Sequence, residues 1–186
     1  MKKVLIITAH PSSAGHTHTI ARAYEEASVA KGNMIEILDL YKTELQLPFL
    51  SFENVREMVP LDARSKLQSK ILWADELVFI HPLWWGWMPA IMKNFIDQCF
   101  ETKFAFVYEN KKPKGLLGPR HAKVFMTSGA PAWLYMFFLS PFKTLWRKIV
   151  LEFCGIKLTH IELLGSMAPV NEKRIEKFLK KVKSLA

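Results

Sequence analysis

Short apolar runs alternate with amphipathic stretches along the whole chain. The first run, Lys3 to Ala9, is continuous and ends at His-Pro, as is typical of a strand buried on both faces. Later apolar runs predict four more strands: Met34 to Tyr41, Glu76 to Leu83, Ala122 to Ala130 and Lys157 to Ser166. Apolar residues at helical spacing predict five helices, at about 19–31, 62–73, 90–100 and 142–153 and in the last segment of the chain.

The alternation of five strands with five helices indicates an α/β fold with an open parallel sheet covered by helices on both faces. A length of 186 residues and a hydrophobic content of 50% fit a single domain over residues 1–186 with a packed core. Ligands of such sheets bind outside the carboxyl ends of the strands. We therefore expect the functional residues in the loops that follow the strands.

The loop after the first strand combines small, hydroxyl and imidazole residues and leads into a helix. Backbone N–H groups and the helix dipole favour an anion at such a place. Its candidate ligands are His10, Ser12, Ser13, His16, Thr17, His18 and Thr19. Because the loop matches neither the P-loop nor the G-x-G-x-x-G pattern, a monophosphate is the favoured guest. A metal cluster of the histidines and a purely structural turn stay open as alternatives.

Three tryptophans, Trp84, Trp85 and Trp87, follow the third strand on a turn marked by Pro82 and Gly86. A flat aromatic ligand, with backbone amides at its edge and an indole over one face, explains such a turn. Alternatively, the indoles fill a corner of the core or a subunit interface, and Trp87 is the main candidate for a structural role. A monophosphate at one strand end and a flat ring at the next suggest flavin mononucleotide.

The net charge of +9 lies in the second half of the chain, where 16 Lys and Arg face 5 Asp and Glu from Lys103 onward. An anionic ligand, a nucleic-acid or membrane surface and a solvated basic face all accommodate this charge. Cys99 and Cys154 have neither metal-ligand spacing nor a C-x-x-C arrangement, which favours the cytoplasm. The apolar run at the amino terminus is too short for a secretory signal.

The chain resembles the flavodoxin-like NAD(P)H:quinone oxidoreductases, a family that includes small bacterial NAD(P)H dehydrogenases (quinone) and potassium-efflux ancillary reductases. The resemblance covers nearly the whole chain, and its most specific part is P-L-x-W, P-A-x-x-K and F-A-x-x-Y between Pro82 and Tyr108. Weaker matches are H-P after the first strand, D-L-Y at 39–41, T-S-G-A-P-A-W-L-Y at 127–135 and F-C-G at 153–155. The resemblance implies the strand order 2-1-3-4-5 and a two-electron, ping-pong transfer of hydride from NAD(P)H to quinones or related electrophiles.

The resemblance also implies roles for individual residues. FMN is the implied cofactor, with FAD as an alternative, and NAD(P)H is the co-substrate. The phosphate and ribityl chain would lie at His10, Thr17, His18 and Thr19, the ring at Pro82, Leu83, Trp84, Trp85 and Gly86, and its pyrimidine side at Thr127, Ser128, Gly129 and Ala130. Tyr135 would act at the substrate pocket, unless it is simply a packed aromatic residue. A histidine common in the family is not matched, and Pro141 falls near its place.

The apolar run from Ala130 to Phe142 precedes Lys143, Arg147 and Lys148. It is too short to span a bilayer. We expect it to roof the flavin in a homodimer, since family members build active sites between two subunits; peripheral contact with a membrane or membrane protein is the alternative. Nucleic acid is not an expected partner. A second function also stays open: a flavin-bearing regulatory or electron-carrier subunit that docks to a partner.

Overall fold

A computed structural model describes residues 1–53, 61–137, 141–167 and 171–186. Part of the connection between the second strand and the second helix, 54–60, and part of the apolar run, 138–140, lie outside this description. The elements are β1 (Lys3–Thr8), α1 (His16–Ala30), β2 (Met34–Asp39), α2 (Asp62–Trp73), β3 (Glu76–Pro82), α3 (Ala90–Cys99), β4 (Phe106–Glu109), β5 (Lys112–Gly115), β6 (His121–Thr127), α4 (Ala132–Phe137), α5 (Pro141–Thr144), β7 (Lys157–Leu164) and α6 (Glu172–Leu185).

The main sheet of the described residues has five strands in the order β2-β1-β3-β6-β7, and every neighbouring pair is parallel. When only these five strands are numbered along the chain, their order is 2-1-3-4-5, as the family resemblance implied. One face packs on α1 and α6, and the other packs on α2, α3 and the segment that follows α5. The prediction of an open parallel sheet with helices on both faces is therefore confirmed.

The side chains of the central strands pack into two hydrophobic clusters, one on each face of the sheet. In β1, Leu5 and Ile7 face a larger cluster with α2 and α3, whereas Val4 and Ile6 face a smaller cluster with α1 and α6. Successive side chains of a strand point to opposite faces of the sheet. A strand covered on both faces must therefore be apolar throughout.

A buried ion pair closes the amino end of the sheet. Lys123 Nζ lies 2.7 Å from Glu76 Oε1 and 2.7 Å from the hydroxyl of Tyr24, and that hydroxyl donates to Glu76. Burial alone would raise the pKa of Glu76, but the hydrogen bonds from Lys123 and Tyr24 outweigh it and hold that pKa below its usual value. The three polar groups therefore satisfy one another inside the smaller core.

The sequence patterns missed an antiparallel hairpin, β4–β5, that lies outside the main sheet. Its turn places Asn110 and Lys111 at φ 51° and 63°, the conformation of a tight two-residue turn. A Cβ on Gly115 would lie 2.1 Å from the backbone nitrogen of Gly155, so two glycine backbones touch where the hairpin meets the end of the next helix. The short polar strand Lys112–Gly115 carries no alternating apolar pattern, which is why the sequence did not reveal it.

The helix predicted at 142–153 forms, but only its first turn is an α-helix. α5 continues as a π-helix over Leu145–Leu151 and a short 3-10 turn over Glu152–Cys154, and Gly155 ends it at φ 83°. π-helical segments are rare and often lie at functional sites. None of the helices in the described ranges is long and apolar enough to cross a membrane.

Candidate functional site

The loop between β1 and α1 ends in a buried hydroxyl. α1 begins at His16, three residues before the predicted start at Thr19, so Thr17 falls in the first helical turn. Its side chain is 1% exposed, and its Oγ1 has no hydrogen-bond partner within the described part of the chain. A buried hydroxyl without a partner is costly, and the first N–H groups of a helix also seek acceptors. This end of α1 therefore has the donors that an anion requires.

His10 folds back over the same loop. Its Nδ1 lies 3.1 Å from the backbone nitrogen of Ser12, whose N–H donates to it. A Cβ on Gly15 would lie 2.7 Å from that Nδ1, so the glycine is needed for the ring to approach the start of the helix. His10 thus shapes the loop as well as lining it.

His18 and Asp39 form a contact that the sequence did not reveal. His18 Nε2 lies 3.9 Å from Asp39 Oδ2 and 3.3 Å from the backbone oxygen of His10. Lys42 Nζ lies 3.7 Å from the same carboxylate oxygen. Asp39 is the last residue of β2 and the first of the D-L-Y match. An acidic residue at a strand end beside a loop rich in histidine was the sequence signal that could have indicated this contact. No group of three or more His, Cys, Asp or Glu suited to a metal occurs among the residues described.

The aromatic turn after β3 is a tight reversal. Trp84 N–H donates to Trp87 O at 2.9 Å, and Trp87 N–H donates back at 3.0 Å. Trp85 and Gly86 occupy the left-handed region at φ 52° and 78°, which costs a tryptophan about 1 kcal/mol. Trp85 is fully exposed at 104% and Trp84 is 41% exposed, whereas Trp87 packs against the larger core. The turn therefore presents two indoles to solvent and keeps the third for structure, as predicted for Trp87.

The loop after β6 holds its shape through its own backbone. Leu83 N–H donates to Thr127 O at 2.7 Å, which ties this loop to the aromatic turn. Ser128 N–H donates to Leu164 O at 2.9 Å, and Ala130 N–H donates to the Ser128 hydroxyl at 3.1 Å. The N–H of Gly129 takes part in neither bond, and Gly129 is exposed. Of the amides predicted to face a ligand, Gly129 therefore has the one best placed to donate.

The three loops meet at one edge because β1, β3 and β6 are neighbours in the sheet. The rings of His10 and Trp84 lie 6.3 Å apart, which joins the first loop to the aromatic turn. The predicted site residues divide by exposure. Pro82, Leu83, Thr127 and Ser128 are buried, whereas His10, His18, Thr19, Gly86 and Ala130 are partly exposed. The four buried residues therefore offer a ligand mainly their backbone atoms at this edge.

Tyr135 lies just beyond this edge, on α4. Its side chain is 8% exposed, and its ring packs edge-on against Phe142 with centroids 6.1 Å apart. This packing fits the alternative of a structural aromatic residue. The catalytic role of Tyr135 stays a prediction, which rests on the family resemblance.

An apolar groove of about 390 Å³ lies beside the aromatic turn. Its lining combines α3, the hairpin and the π-helix, with Trp87, Ile96, Phe100, Phe106, Ile149 and Phe153 as the main apolar residues. Ile149 is among the exposed large hydrophobic residues, as is Trp133 on α4. The groove is thus separate from the anion loop but shares Trp87 with the aromatic turn.

Comparisons with known proteins agree with this geometry. A family model described as the flavodoxin-like fold matches residues 2–186. The chain is 31% identical to a Haemophilus influenzae protein named an uncharacterized NAD(P)H oxidoreductase, over 91% of this chain and 86% of the relative. It is 30% identical to a Clostridium botulinum protein named an FMN-dependent NADH:quinone oxidoreductase, over 100% and 98%. A crystal structure from Streptococcus mutans superposes with a TM-score of 0.83 at 29% identity, covering 98% of this chain and 97% of that one.

Proposed function

Because the chain belongs to the flavodoxin-like family, we propose that it is an FMN-dependent NAD(P)H oxidoreductase that passes two electrons, as hydride, to quinones or related electrophiles. The names of its relatives support an oxidoreductase of this kind. The observation that carries the proposal is the meeting of an anion-type loop and an exposed aromatic turn at one sheet edge, with His10 and Trp84 6.3 Å apart.

The residues at this edge fit the two ends of FMN. The buried Thr17 hydroxyl, which has no partner in the described part of the chain, and the first N–H groups of α1 would hold the phosphate. His10, His18 and Thr19 would line the phosphate and the ribityl chain, with Asp39 keeping the His18 ring in place. Thr17 is the strongest member of this set because its buried oxygen gains a partner only when an acceptor or donor arrives.

The aromatic turn and the β6 loop would hold the ring. The backbone of Pro82, Leu83 and Gly86 and the indoles of Trp84 and Trp85 would border it, and the loop from Thr127 to Ala130 would face its pyrimidine side. Bound flavin supplies the hydride chemistry. The Gly129 N–H is a preorganised donor toward negative charge at that side, since the neighbouring amides already have partners.

Tyr135 is proposed to donate a hydrogen bond to an oxygen of the acceptor or of the ring. Its ring is fixed against Phe142, so its hydroxyl has few alternative positions. Such a donor would act without changing its own charge. The family histidine expected near Pro141 is not matched, and Tyr135 is the proposed donor on this segment.

We also propose a homodimer that closes the site. The apolar groove next to Trp87, together with exposed Ile149 and Trp133, offers the kind of surface that a second copy buries. A reducing cytoplasm is the proposed compartment, in keeping with two buried, unpaired thiols at Cys99 and Cys154. Peripheral membrane contact is the competing use of the same surface, and vesicle flotation of the purified dimer would reveal it.

The deciding experiment loads the purified protein with FMN and follows NADH and NADPH oxidation with a simple benzoquinone as acceptor. Steady turnover that requires both FMN and quinone is the expected result. Stoichiometric reduction without turnover would instead favour the regulatory or electron-carrier alternative. Failure to bind FMN or FAD at all would overturn the proposal.

A further inference from the structure

Two neighbouring buried rings next to the aromatic turn each carry a polar atom that has no partner among the described residues. His81 and Trp146 are both fully buried, and their rings lie 5.7 Å apart at an interplanar angle of 30°. Neither His81 Nε2 nor Trp146 Nε1 has a hydrogen-bond partner within the described ranges. Buried polar atoms nearly always have a partner in native proteins, so two neighbouring exceptions need an explanation.

The two atoms are chemically complementary. His81 Nδ1 lies 2.8 Å from the backbone oxygen of Pro82, and a carbonyl can only accept, so the ring proton is on Nδ1. Burial lowers the pKa of His81 to about 4, which keeps the imidazole neutral at neutral pH. Nε2 is then a pure acceptor, and the indole N–H of Trp146 is a pure donor.

We propose that one buried water joins Trp146 Nε1–H to His81 Nε2, and that this link makes both side chains positioning residues for the flavin site. A water can accept the indole N–H and donate to the imidazole, which satisfies both atoms in a single step. The two atoms do not hydrogen-bond to each other directly, since neither has a partner among the described residues.

The link lies between two elements that the proposed function uses, and it therefore rests on that function. His81 holds the Pro82 carbonyl at the entry to the aromatic turn. Trp146 packs against Phe79 at 4.8 Å and against Trp87 at 6.2 Å, at the exit of the turn. The same pair of rings therefore contacts both ends of the turn and supports its conformation.

Trp146 also belongs to the π-helix whose Leu145, Ile149 and Val150 line the apolar groove. Within this π-helix Trp146 is fully buried, whereas Ile149 is exposed. The water-mediated link from Trp146 to His81 on β3 would therefore fix the distance between the groove and the turn. Loss of the bond should loosen the turn without removing any group that touches the flavin.

The link itself is tested on the ¹⁵N-labelled protein without flavin. We expect the His81 side chain to show a protonated Nδ1 and an unprotonated Nε2, and the Trp146 indole N–H to show a cross-peak to a long-lived water. The Trp146→Phe variant assigns the indole signal. Protonation at Nε2, or an indole N–H with no water beside it, would overturn the proposal.

Its positioning role is tested by fluorescence titration with FMN and by the visible circular dichroism of the bound flavin. Trp146→Phe keeps the aromatic shape and removes the donor, so the FMN dissociation constant should rise about three- to tenfold, with an altered flavin spectrum. Phe125→Leu is the matched control, because Phe125 is equally buried but lies in the smaller core on the other face. It should lower the unfolding midpoint and leave FMN affinity unchanged.

A second variant covers the case in which Trp146→Phe does not fold. His81→Leu removes the acceptor and should raise the FMN dissociation constant by a similar factor. FMN affinities equal to those of the control would show that the pair is merely structural and would overturn the role. If the wild-type protein itself bound no flavin, the proposed function would fall, whereas the ¹⁵N measurement would still decide whether the link exists.

Discussion

The ring of His10 lies 6.3 Å from the ring of Trp84, so the loop after β1 and the turn after β3 meet at one edge of the sheet. His10 is held in place by the Ser12 N–H, and Trp84 by its two hydrogen bonds with Trp87. The proposed ligand, with an anionic group at one end and a flat ring at the other, would span both.

Replacing Thr17 with valine should separate ligand binding from stability. The Thr17 hydroxyl is buried and has no partner among the residues that the structure describes, so Thr17→Val should leave the unfolding midpoint of the flavin-free protein unchanged or raise it. FMN affinity should fall by about 1.5–3 kcal/mol, the range for a hydrogen bond to a charged group. Thermal unfolding and FMN titration measure the two effects. Thr17→Glu should abolish tight binding by charge repulsion, and wild-type affinity in both variants would show that the loop does not hold the phosphate.

Trp85→Ala should weaken FMN binding by about 1–3 kcal/mol, the scale of burying an aromatic side chain. The flavin-free protein should lose no stability, because the indole is fully exposed and its backbone is in the left-handed region. Leu72→Ala is the control, since it truncates an exposed apolar side chain on α2. An unchanged FMN dissociation constant together with a lost dimer, seen by sedimentation, would mark Trp85 as an interface residue instead.

Tyr135→Phe should slow the half-reaction with quinone several-fold, by about 1 kcal/mol, because a neutral hydrogen bond is lost. The half-reaction with NAD(P)H and the FMN affinity should stay nearly unchanged. Stopped-flow measurement of each half-reaction separates the two effects, which steady-state rates would combine. Equal slowing of both would point to altered ring packing, and no change would leave Tyr135 with its structural contact to Phe142.

The buried His81 should make the protein sensitive to mild acid. Burial lowers the pKa of His81 to about 4, against 6.5 in the unfolded chain. As the pH falls through this window, the unfolded state takes up a proton and the folded state does not. The wild type should therefore lose about 2–3 kcal/mol between pH 7 and pH 4.5 that His81→Leu does not lose. Urea unfolding at the two pH values measures this difference, and exposed His121, changed to Gln, should behave like the wild type.

Removing one member of the buried ion pair should be costly. Lys123→Met leaves Glu76 buried without its main partner and should destabilise the fold by about 3–5 kcal/mol. Lys2→Met is the matched control, because Lys2 Nζ lies 3.8 Å from the same carboxylate but is mostly exposed, and it should cost less than about 1 kcal/mol. Denaturant unfolding measures both. Similar losses in the two variants would show that burial adds nothing to the Lys123 contact.

The fold was predictable because its strands are continuous apolar runs and its helices carry one apolar face. α2 begins and ends where the sequence placed it, at Asp62 and Trp73. The meeting of the candidate loops followed from the strand ends, since a parallel sheet brings the residues after β1, β3 and β6 to one edge. The strand order came from the family resemblance rather than from periodicity.

What the sequence did not reveal depends on contacts between distant residues. Glu109 pairs with Lys112 in the hairpin, but the second strand of the hairpin has no apolar alternation from which a strand could be predicted. The approach of Asp39 to His18 needs the register of β2 against β1, which local pattern does not give. The π-helix around Trp146 likewise depends on how the chain packs. The spacing of apolar residues in the sequence does not distinguish a π-helix from an α-helix over so short a segment.

The ion pair of Glu76 and Lys123 lies at the amino end of the sheet, whereas the loops of the binding edge follow the carboxyl ends of the same strands. Changes that alter the acceptor range of the proposed oxidoreductase would fall on those loops, at the opposite end of the strands from this ion pair. Directed evolution of acceptor choice in the proposed oxidoreductase can therefore vary exposed residues around this edge, provided that the libraries leave the proposed flavin contacts and positions 24, 76 and 123 untouched.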